Sequence, residues 1–279
     1  MFDLPQPKDD GLYIPRRPVG EWSRHKHYFL QRYIDAFTTA MKGKRWKGLH
    51  YIDLFAGPGI VRLRDSGELD WGSALIAAQA PNAFDGLHFC ELSKRAAKAL
   101  QARLDRIVGK SRFTVLQGDA NQKVHQSVAE IPPQTLSLAF LDPYGLHLNY
   151  ETVQVLSARR VDFIVFFPDH LDALRNCKYV YRNTPNSNLD RFLGPEVNWH
   201  SALNAAPQTK WAEVLRKLYC GQIRRLGYTK FESERICVKG RPLYLLIFCS
   251  QHPVAAKLWR GVSSKKPDDQ RTFDFNARG

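Results

Sequence analysis

The chain has 279 residues, of which 44% are hydrophobic, and it carries 41 Lys and Arg residues against 27 Asp and Glu residues, a net charge of +14. This length and hydrophobic content predict one packed domain with insertions. No apolar run reaches the ~18 residues of a membrane span, and residues 1–20 have no apolar core of the kind that a signal peptide needs. The positive charge indicates a polyanionic partner, most often nucleic acid. The alternatives are a generally basic surface or a basic face that binds an acidic protein. Five scattered cysteines without a CxxC pattern favour neither a zinc site nor a disulfide framework, and we therefore expect a cytoplasmic protein without a bound metal.

Residues 1–20 are predicted to form an extended arm, because the four prolines of this segment prevent a regular helix. Arg16 and Arg17 lie within this arm. We predict that they contact nucleic-acid phosphates, and the alternative is that water solvates them.

Residues 21–41 carry apolar side chains at helical spacing, and Gly43 ends the predicted helix. Lys44 and Arg45 belong to the basic cluster that follows. We predict that they also contact nucleic acid, whereas the alternative is an exposed turn between the helix and the first strand.

The first strand leads into the sequence Tyr-Ile-Asp-Leu-Phe-Ala-Gly-Pro-Gly, residues 51–59. Glycines directly after a strand leave bare backbone where a ligand can approach, and the amides of the next helix would point toward that ligand. The acid before the turn would repel a phosphate and suits a cationic, hydroxyl-rich ligand such as S-adenosylmethionine (SAM). We therefore predict a SAM site that includes Asp53, Phe55, Gly57 and Gly59. The alternative is a tight strand-to-helix turn without a ligand.

The next two predicted strands also end in acidic residues, after an inserted polar loop at about residues 60–72. Glu91 ends the second strand, where an acid typically binds the ribose hydroxyls of an adenosine cofactor. Asp119 follows the third strand, where it would accept a hydrogen bond from the adenine amino group. We add the neighbouring Leu92 and Ala120 to the candidate cofactor contacts. The alternative is that Glu91 caps a helix and Asp119 occupies a turn.

A strongly apolar fourth strand, residues 135–141, ends in Asp142, Pro143 and Tyr144. Such a turn offers a carboxylate and a backbone carbonyl as acceptors for an exocyclic amine, and its aromatic ring can stack on a base. Catalysis would then consist mainly of alignment and charge placement. We predict that these three residues are catalytic, and the alternative is an ordinary β-turn.

A fifth strand at residues 161–167 precedes an irregular insertion, about residues 169–209, at the edge where open α/β sheets bind ligands. Its interleaved basic and aromatic side chains suit phosphate contact and base stacking. Arg175, Lys178 and Arg182 are the predicted nucleic-acid contacts of this insertion, although an ordinary loop excursion fits equally well.

The C-terminal part begins with an amphipathic helix at residues 210–226, followed by two strands, 231–238 and 243–249, that form a hairpin. Together these elements predict an α/β fold, a Rossmann-like doubly wound sheet of the class I methyltransferase type with a C-terminal antiparallel hairpin and insertions. We expect the domain to span residues 21–260 and residues 261–279 to form a loose tail.

The motifs at residues 51–59 and 140–145, with an N-terminal helix that begins at Trp22 and Lys26, resemble the three-Cys-motif partner (TcmP) family. The resemblance extends over roughly residues 20–255. It implies a class I methyltransferase-like protein that works with a separate partner carrying three cysteines, similar to a radical-SAM protein, in nucleic-acid modification or defence. The sequence Asp-Pro-Tyr-Gly differs from the Asp-Pro-Pro-Tyr of N6-adenine methyltransferases and is closer to the Asp-Pro-Phe-Gly of tRNA guanine-N2 dimethyltransferases.

Three functional hypotheses follow from these features. The first is a SAM-dependent methyltransferase acting on an exocyclic amine of RNA or DNA. The second is a non-catalytic module of the same fold that binds nucleic acid or a partner enzyme. The third and weakest is a metal-dependent nuclease or other hydrolase.

Overall fold

The computed structural model describes residues 2–238 and 240–264. These residues contain nine strands: β1 (Leu49–Asp53), β2 (Ile60–Arg62), β3 (Leu69–Trp71), β4 (Gly86–Glu91), β5 (Phe113–Gln117), β6 (Leu136–Leu141), β7 (Val161–Phe167), β8 (Lys230–Val238) and β9 (Arg241–Ser250). They also contain the helices α1 (Trp22–Met41), α2 (Ser73–Ala78), α3 (Lys94–Ile107), α4 (Ala120–Ala129), α5 (Tyr150–Leu156), α6 (Leu174–Asn176), α7 (Asn188–Leu193), α8 (Trp199–Asn204), α9 (Trp211–Arg225) and α10 (Pro253–Ser263).

Seven strands form one sheet in the order β5-β4-β1-β6-β7-β9-β8. The first five of these are parallel, and the β8–β9 hairpin joins the edge of β7 in the antiparallel direction. The strands β1 and β6 are neighbours although β4 and β5 lie between them in the chain. At such a switch point the carboxyl ends of the strands leave a crevice for ligands. The predicted doubly wound α/β sheet and its C-terminal hairpin are confirmed.

Two hydrophobic cores cover the two faces of the sheet. Alternate residues of a strand point to opposite faces, so Tyr51 and Phe140 pack in the core with α1, α2, α3 and α10. Ile52 and Ala139 pack on the other face with α4, α5, α7, α8 and α9. This burial on both faces explains why the central strands are nearly continuous apolar runs.

The segment 60–72, predicted as a polar loop, contains the small antiparallel hairpin β2–β3. Its strands were missed because each has only three residues, of which one is buried: Ile60 in β2 and Leu69 in β3. The hairpin turn includes Gly67 at φ +72°, a backbone conformation that glycine adopts readily.

The insertion 169–209 is less irregular than predicted. It begins with a π-helical turn, Asp169–Ala173, and continues through α6, α7 and α8. Phe192 and Trp199 are completely buried in this segment. Phe192 stacks on Tyr219 of α9 with ring centroids 4.5 Å apart, so the insertion is packed onto the domain.

The N-terminal arm contains no helix, but it is attached to the domain. The Val19 amide donates to the Arg62 carbonyl at 2.9 Å, beside the hairpin. The buried guanidinium of Arg103 on α3 donates to both carboxylate oxygens of Asp10, at 2.8 and 2.9 Å. None of the described helices is long and apolar enough to cross a membrane. The predicted tail lies mostly outside the described residues.

Candidate functional site

Four predicted acidic residues follow parallel strands at the same edge of the sheet. β1 ends at Asp53 and β4 ends at Glu91, while Asp119 follows β5 and Asp142 follows β6. The registers of these strands place their carboxyl ends side by side. The predicted acids therefore meet at the crevice beside the switch point between β1 and β6.

The turn after β1 needs both of its glycines for different reasons. Gly59 has φ +88°, and a Cβ there would lie 2.8 Å from Cδ1 of Leu75. Gly57 has φ +61°, and a Cβ there would meet no atom within 4 Å. Gly59 is thus required by packing, whereas Gly57 faces open space where a ligand can approach the backbone.

Asp53 is fully buried and stabilises the turn after β1 through two hydrogen bonds. One carboxylate oxygen accepts the Phe55 amide at 3.0 Å, and the other accepts the Ser73 hydroxyl at 2.5 Å. Burial raises the pKa of Asp53 to about 7, against the opposing effect of these two hydrogen bonds and with a smaller contribution from the charges of Asp142 and Glu91. Its direct contact with a cofactor stays a prediction.

Glu91 connects the glycine turn to the end of β4. Its carboxylate accepts the Gly57 amide at 2.9 Å and the Ser93 amide at 2.7 Å, one on each oxygen. Each oxygen of a carboxylate has a second lone pair, so Glu91 can accept two further hydrogen bonds, as a pair of ribose hydroxyls requires. Leu92 is 67% exposed and offers an apolar surface next to this carboxylate.

Asp119 is exposed and caps α4, because one of its oxygens accepts the Asn121 amide at 2.7 Å. Asp119 is thus a helix cap, a role that the sequence-based alternatives gave to Glu91, and its second oxygen is available to a ligand's amino group. Ala120 is buried behind it.

The turn after β6 carries an ion pair that the sequence did not predict. Lys26 of α1 donates from Nζ to Oδ2 of Asp142, and the two side chains are 13% and 15% exposed. Pro143 is buried and Tyr144 is 74% exposed. The Arg17 guanidinium lies 5.5 Å from the centre of the Tyr144 ring.

The insertion is attached to this turn through Asp172. Its Oδ2 accepts the Leu146 amide at 2.9 Å, and its Oδ1 accepts the Tyr181 hydroxyl. The predicted contacts Arg175 and Lys178 are exposed on the segment that Asp172 holds against the turn. Lys178 donates to Oε1 of Gln208 at 3.0 Å and lies 5.6 Å from the centre of the Trp211 ring.

The remaining basic candidates are not all at this edge. Arg182 is half-buried and lies 5.5 Å from the Trp211 ring. Lys44 and Arg45 are exposed, but they precede β1 and therefore lie at the opposite, amino edge of the sheet. There they line a cavity of about 930 Å³ together with Trp46 and other residues.

The N-terminal arm, residues 1–20, contacts two residues at the carboxyl edge of the sheet, Arg95 and Tyr144. Tyr13 lies under the Arg95 guanidinium, 4.6 Å away, at the start of α3, and Arg17 lies against Tyr144. Arg16, between them, is exposed. The arm therefore forms an outer wall of the crevice.

Three residues of the site had no role in the sequence-based prediction: Lys26, Ser73 and Arg103. Lys26 appeared only in the motif quoted for the family resemblance, and Ser73 only as a helix start. Arg103 is 2% exposed and donates to the Pro58 carbonyl at 2.7 Å as well as to Asp10. Arg103 lies on a helix with several other charged residues, so nothing in the local sequence indicates that this arginine is buried.

No family model and no curated protein matches this chain. Solved structures do share its fold. Protein LPL1258 from Legionella pneumophila str. Philadelphia 1 has a TM-score of 0.53 at 13% sequence identity, over 89% of this chain and 93% of that chain. The O-methyltransferase from Bacillus cereus in complex with SAH has a TM-score of 0.50 at 10% identity, over 85% and 84%.

A third similar structure is the cofactor-bound protein Rv0187 from MTB, with a TM-score of 0.51 at 12% identity, over 87% of this chain and 86% of that chain. Identities this low show the fold alone. Together with the strand order, they show that the chain has a Rossmann-like, methyltransferase-type fold.

Proposed function

We propose that this chain is a SAM-dependent methyltransferase that acts on an exocyclic amine of a nucleic-acid base. The observation that carries the proposal is the alignment of Asp53, Glu91, Asp119 and Asp142 at the carboxyl edge of the sheet. A similar solved structure, the Bacillus cereus O-methyltransferase, contains SAH, which supports the same class of ligand here.

The residues at the edge fit SAM. Glu91 retains two lone pairs for the ribose hydroxyls, and Asp119 retains an oxygen for the adenine amino group. Gly57 leaves open space at the turn, and the exposed Leu92 offers an apolar contact for the adenine ring.

Bound SAM would supply an electrophilic methyl group on its sulfonium sulfur. Asp142 and the Pro143 carbonyl would accept the two N–H groups of the target amine, which leaves the nitrogen lone pair free to attack. As the N–C bond forms and the C–S bond breaks, one amine proton would pass to Asp142 or to water. Tyr144 is exposed and would stack on the base.

A nucleic-acid substrate is supported by charge and by exposed aromatic surface. The chain has a net charge of +14. Arg17 is exposed beside Tyr144, and Arg175 and Lys178 are exposed on the inserted segment. Tyr179, on the same inserted segment, is 80% exposed. Exposed aromatics among cations bind single strands by stacking and by phosphate contact.

The experiment is methyl transfer from labelled SAM to total RNA and to total DNA, followed by digestion to nucleosides. We expect one labelled N-methylated nucleoside, formed by the wild type and by the control Asp65→Ala, whose exposed side chain lies in the hairpin turn. Asp142→Ala should form none. Absence of label with the wild type, combined with retained SAM and nucleic-acid binding, would favour the non-catalytic binding module.

Membership of the TcmP family is also part of this proposal. It rests on the motifs at residues 51–59 and 140–145 and on Trp22 and Lys26, of which Lys26 contacts Asp142. Membership implies a three-cysteine, radical-SAM-like partner protein. Co-purification of such a protein from the native host with the tagged chain would support this, and its absence under cross-linking would argue against it.

A further inference from the structure

The pairing of Lys26 with Asp142 places a cation directly at the proposed acceptor of the target amine. Both side chains are largely but not completely buried. The Lys26 ammonium also lies 5.4 Å from the centre of the Phe166 ring. A lysine is rarely buried to this extent without a partner, because desolvation of its charge is costly. Because Asp142 follows β6 at the carboxyl edge of the sheet, the pair lies in the wall of the crevice.

The ion pair leaves hydrogen-bonding capacity on both partners. An ammonium has three donors, and a carboxylate has acceptor sites on two oxygens. Within the described residues, the contact to Oδ2 of Asp142 uses one donor of Lys26, and Oδ1 of Asp142 has no protein donor. The wall thus presents an acceptor and a donor side by side.

We infer that Lys26 and Asp142 together recognise an exocyclic amine that is bonded next to an unprotonated ring nitrogen. This inference rests on the proposed function and adds Lys26 as a residue that contacts the ring nitrogen of the base. The amine would donate to Oδ1 of Asp142, and the neighbouring ring nitrogen would accept from the Lys26 ammonium. Adenine at N6 and N1, cytosine at N4 and N3, and guanine at N2 and N3 present this arrangement, whereas uracil and thymine do not.

In this role Lys26 determines specificity, because it touches the base rather than the cofactor. A paired donor and acceptor on a base edge discriminates against the wrong edge by roughly 10- to 100-fold. Replacing the ring nitrogen by C–H should cost that factor, because a Lys26 donor then faces a group that cannot accept it.

The test is equilibrium binding of single-stranded oligouridylates that contain one target base, measured by fluorescence anisotropy on the full-length chain at one salt concentration. The three probe pairs are adenine with 1-deazaadenine, cytosine with 3-deazacytosine, and guanine with 3-deazaguanine. At least one pair should show a 10- to 100-fold loss of affinity in the wild type when the nitrogen is removed. Lys26→Met should bind both members of that pair equally, and Lys26→Arg should retain part of the difference.

The control is Lys42→Met, which changes an exposed lysine just after α1 and should keep the full difference. Circular dichroism of Lys26→Met shows whether the variant is folded. The inference would be overturned if the wild type bound the two members of every pair equally. It would also be overturned if the difference within a pair persisted in a folded Lys26→Met. Methyl transfer to the same probes is scored separately, so a failure of catalysis is distinguishable from a failure of base recognition.

Discussion

The ion pair between Asp10 and Arg103 holds the N-terminal arm against the domain. We predict that Asp10→Ala increases the fraction of molecules in which the arm is detached. The Asp10 side chain is 20% exposed and that of Arg103 is 2% exposed. Asp10→Ala removes the acceptor of two guanidinium donors. The carbonyls of Tyr13 and Pro58 still accept from the third, at 3.2 and 2.7 Å.

The size of the effect follows from the burial of this pair. Removing one partner of a buried ion pair costs about 3–5 kcal/mol. Water reaches the exposed part of Asp10, so we expect about 2 kcal/mol, which corresponds to roughly a 30-fold larger detached fraction. The hydrogen bond from Arg103 lowers the pKa of Asp10. The stability that the ion pair contributes is therefore fully present above the pKa of a free aspartate, and it is lost as the pH falls through the lowered pKa of Asp10.

The assay is limited proteolysis with trypsin, which cleaves after the exposed Arg16 when the arm is detached. When opening is fast relative to cleavage, the rate reports the detached population. We expect Asp10→Ala to be cleaved about 30-fold faster than the wild type, in proportion to that population. Asp3→Ala, which changes another exposed arm carboxylate, should match the wild type. Equal rates for all three proteins would refute the reasoning that the ion pair holds the arm.

Three further predictions concern the site itself. Burial raises the pKa of Asp53 to about 7, so the folded state retains a proton that the unfolded state loses above about pH 4. The free energy of unfolding therefore falls as the pH rises toward 7. Measured by urea unfolding at pH 5 to 8, it should depend less on pH in Asp53→Asn than in the wild type, and the same pH dependence in both proteins would contradict this. Both glycines have a positive φ, but only a Cβ at Gly59 would overlap with Leu75. Gly59→Ala should therefore destabilise the fold by about 1–3 kcal/mol, whereas Gly57→Ala should unfold closer to the wild type in urea but bind SAM more weakly. Equal stabilities of the two variants would be inconsistent with this packing. Tyr144→Ala should weaken single-strand binding by about 1–3 kcal/mol in an anisotropy titration, and unchanged affinity would exclude stacking by this ring.

Local patterns predicted the elements of the fold whose signals are contained within a few residues. The central strands are apolar on both faces, and each ends at an acid or a glycine turn, so their order along the chain and the shared edge of Asp53, Glu91, Asp119 and Asp142 followed from the sequence. The hairpin at residues 60–72 was missed because its strands have three residues each.

Contacts between distant segments could not be predicted in the same way. Lys26 and Asp142 are 116 residues apart, and Asp10 and Arg103 are 93 residues apart. No periodicity or spacing identifies such partners before the helices are packed on the sheet. The complete burial of Asp53 has the same origin, because the Ser73 hydroxyl that binds it belongs to a helix beyond the hairpin.

The most direct test of the account is calorimetric titration of the purified chain with SAM and with SAH. We predict a single site in the wild type and in Asp65→Ala, and at least a 10-fold weaker site in Glu91→Gln, because one ribose hydroxyl would lose its charged acceptor. Absence of binding to the wild type, or equal affinity in Glu91→Gln, would contradict the claim that the carboxylates at the end of the sheet hold an adenosine cofactor.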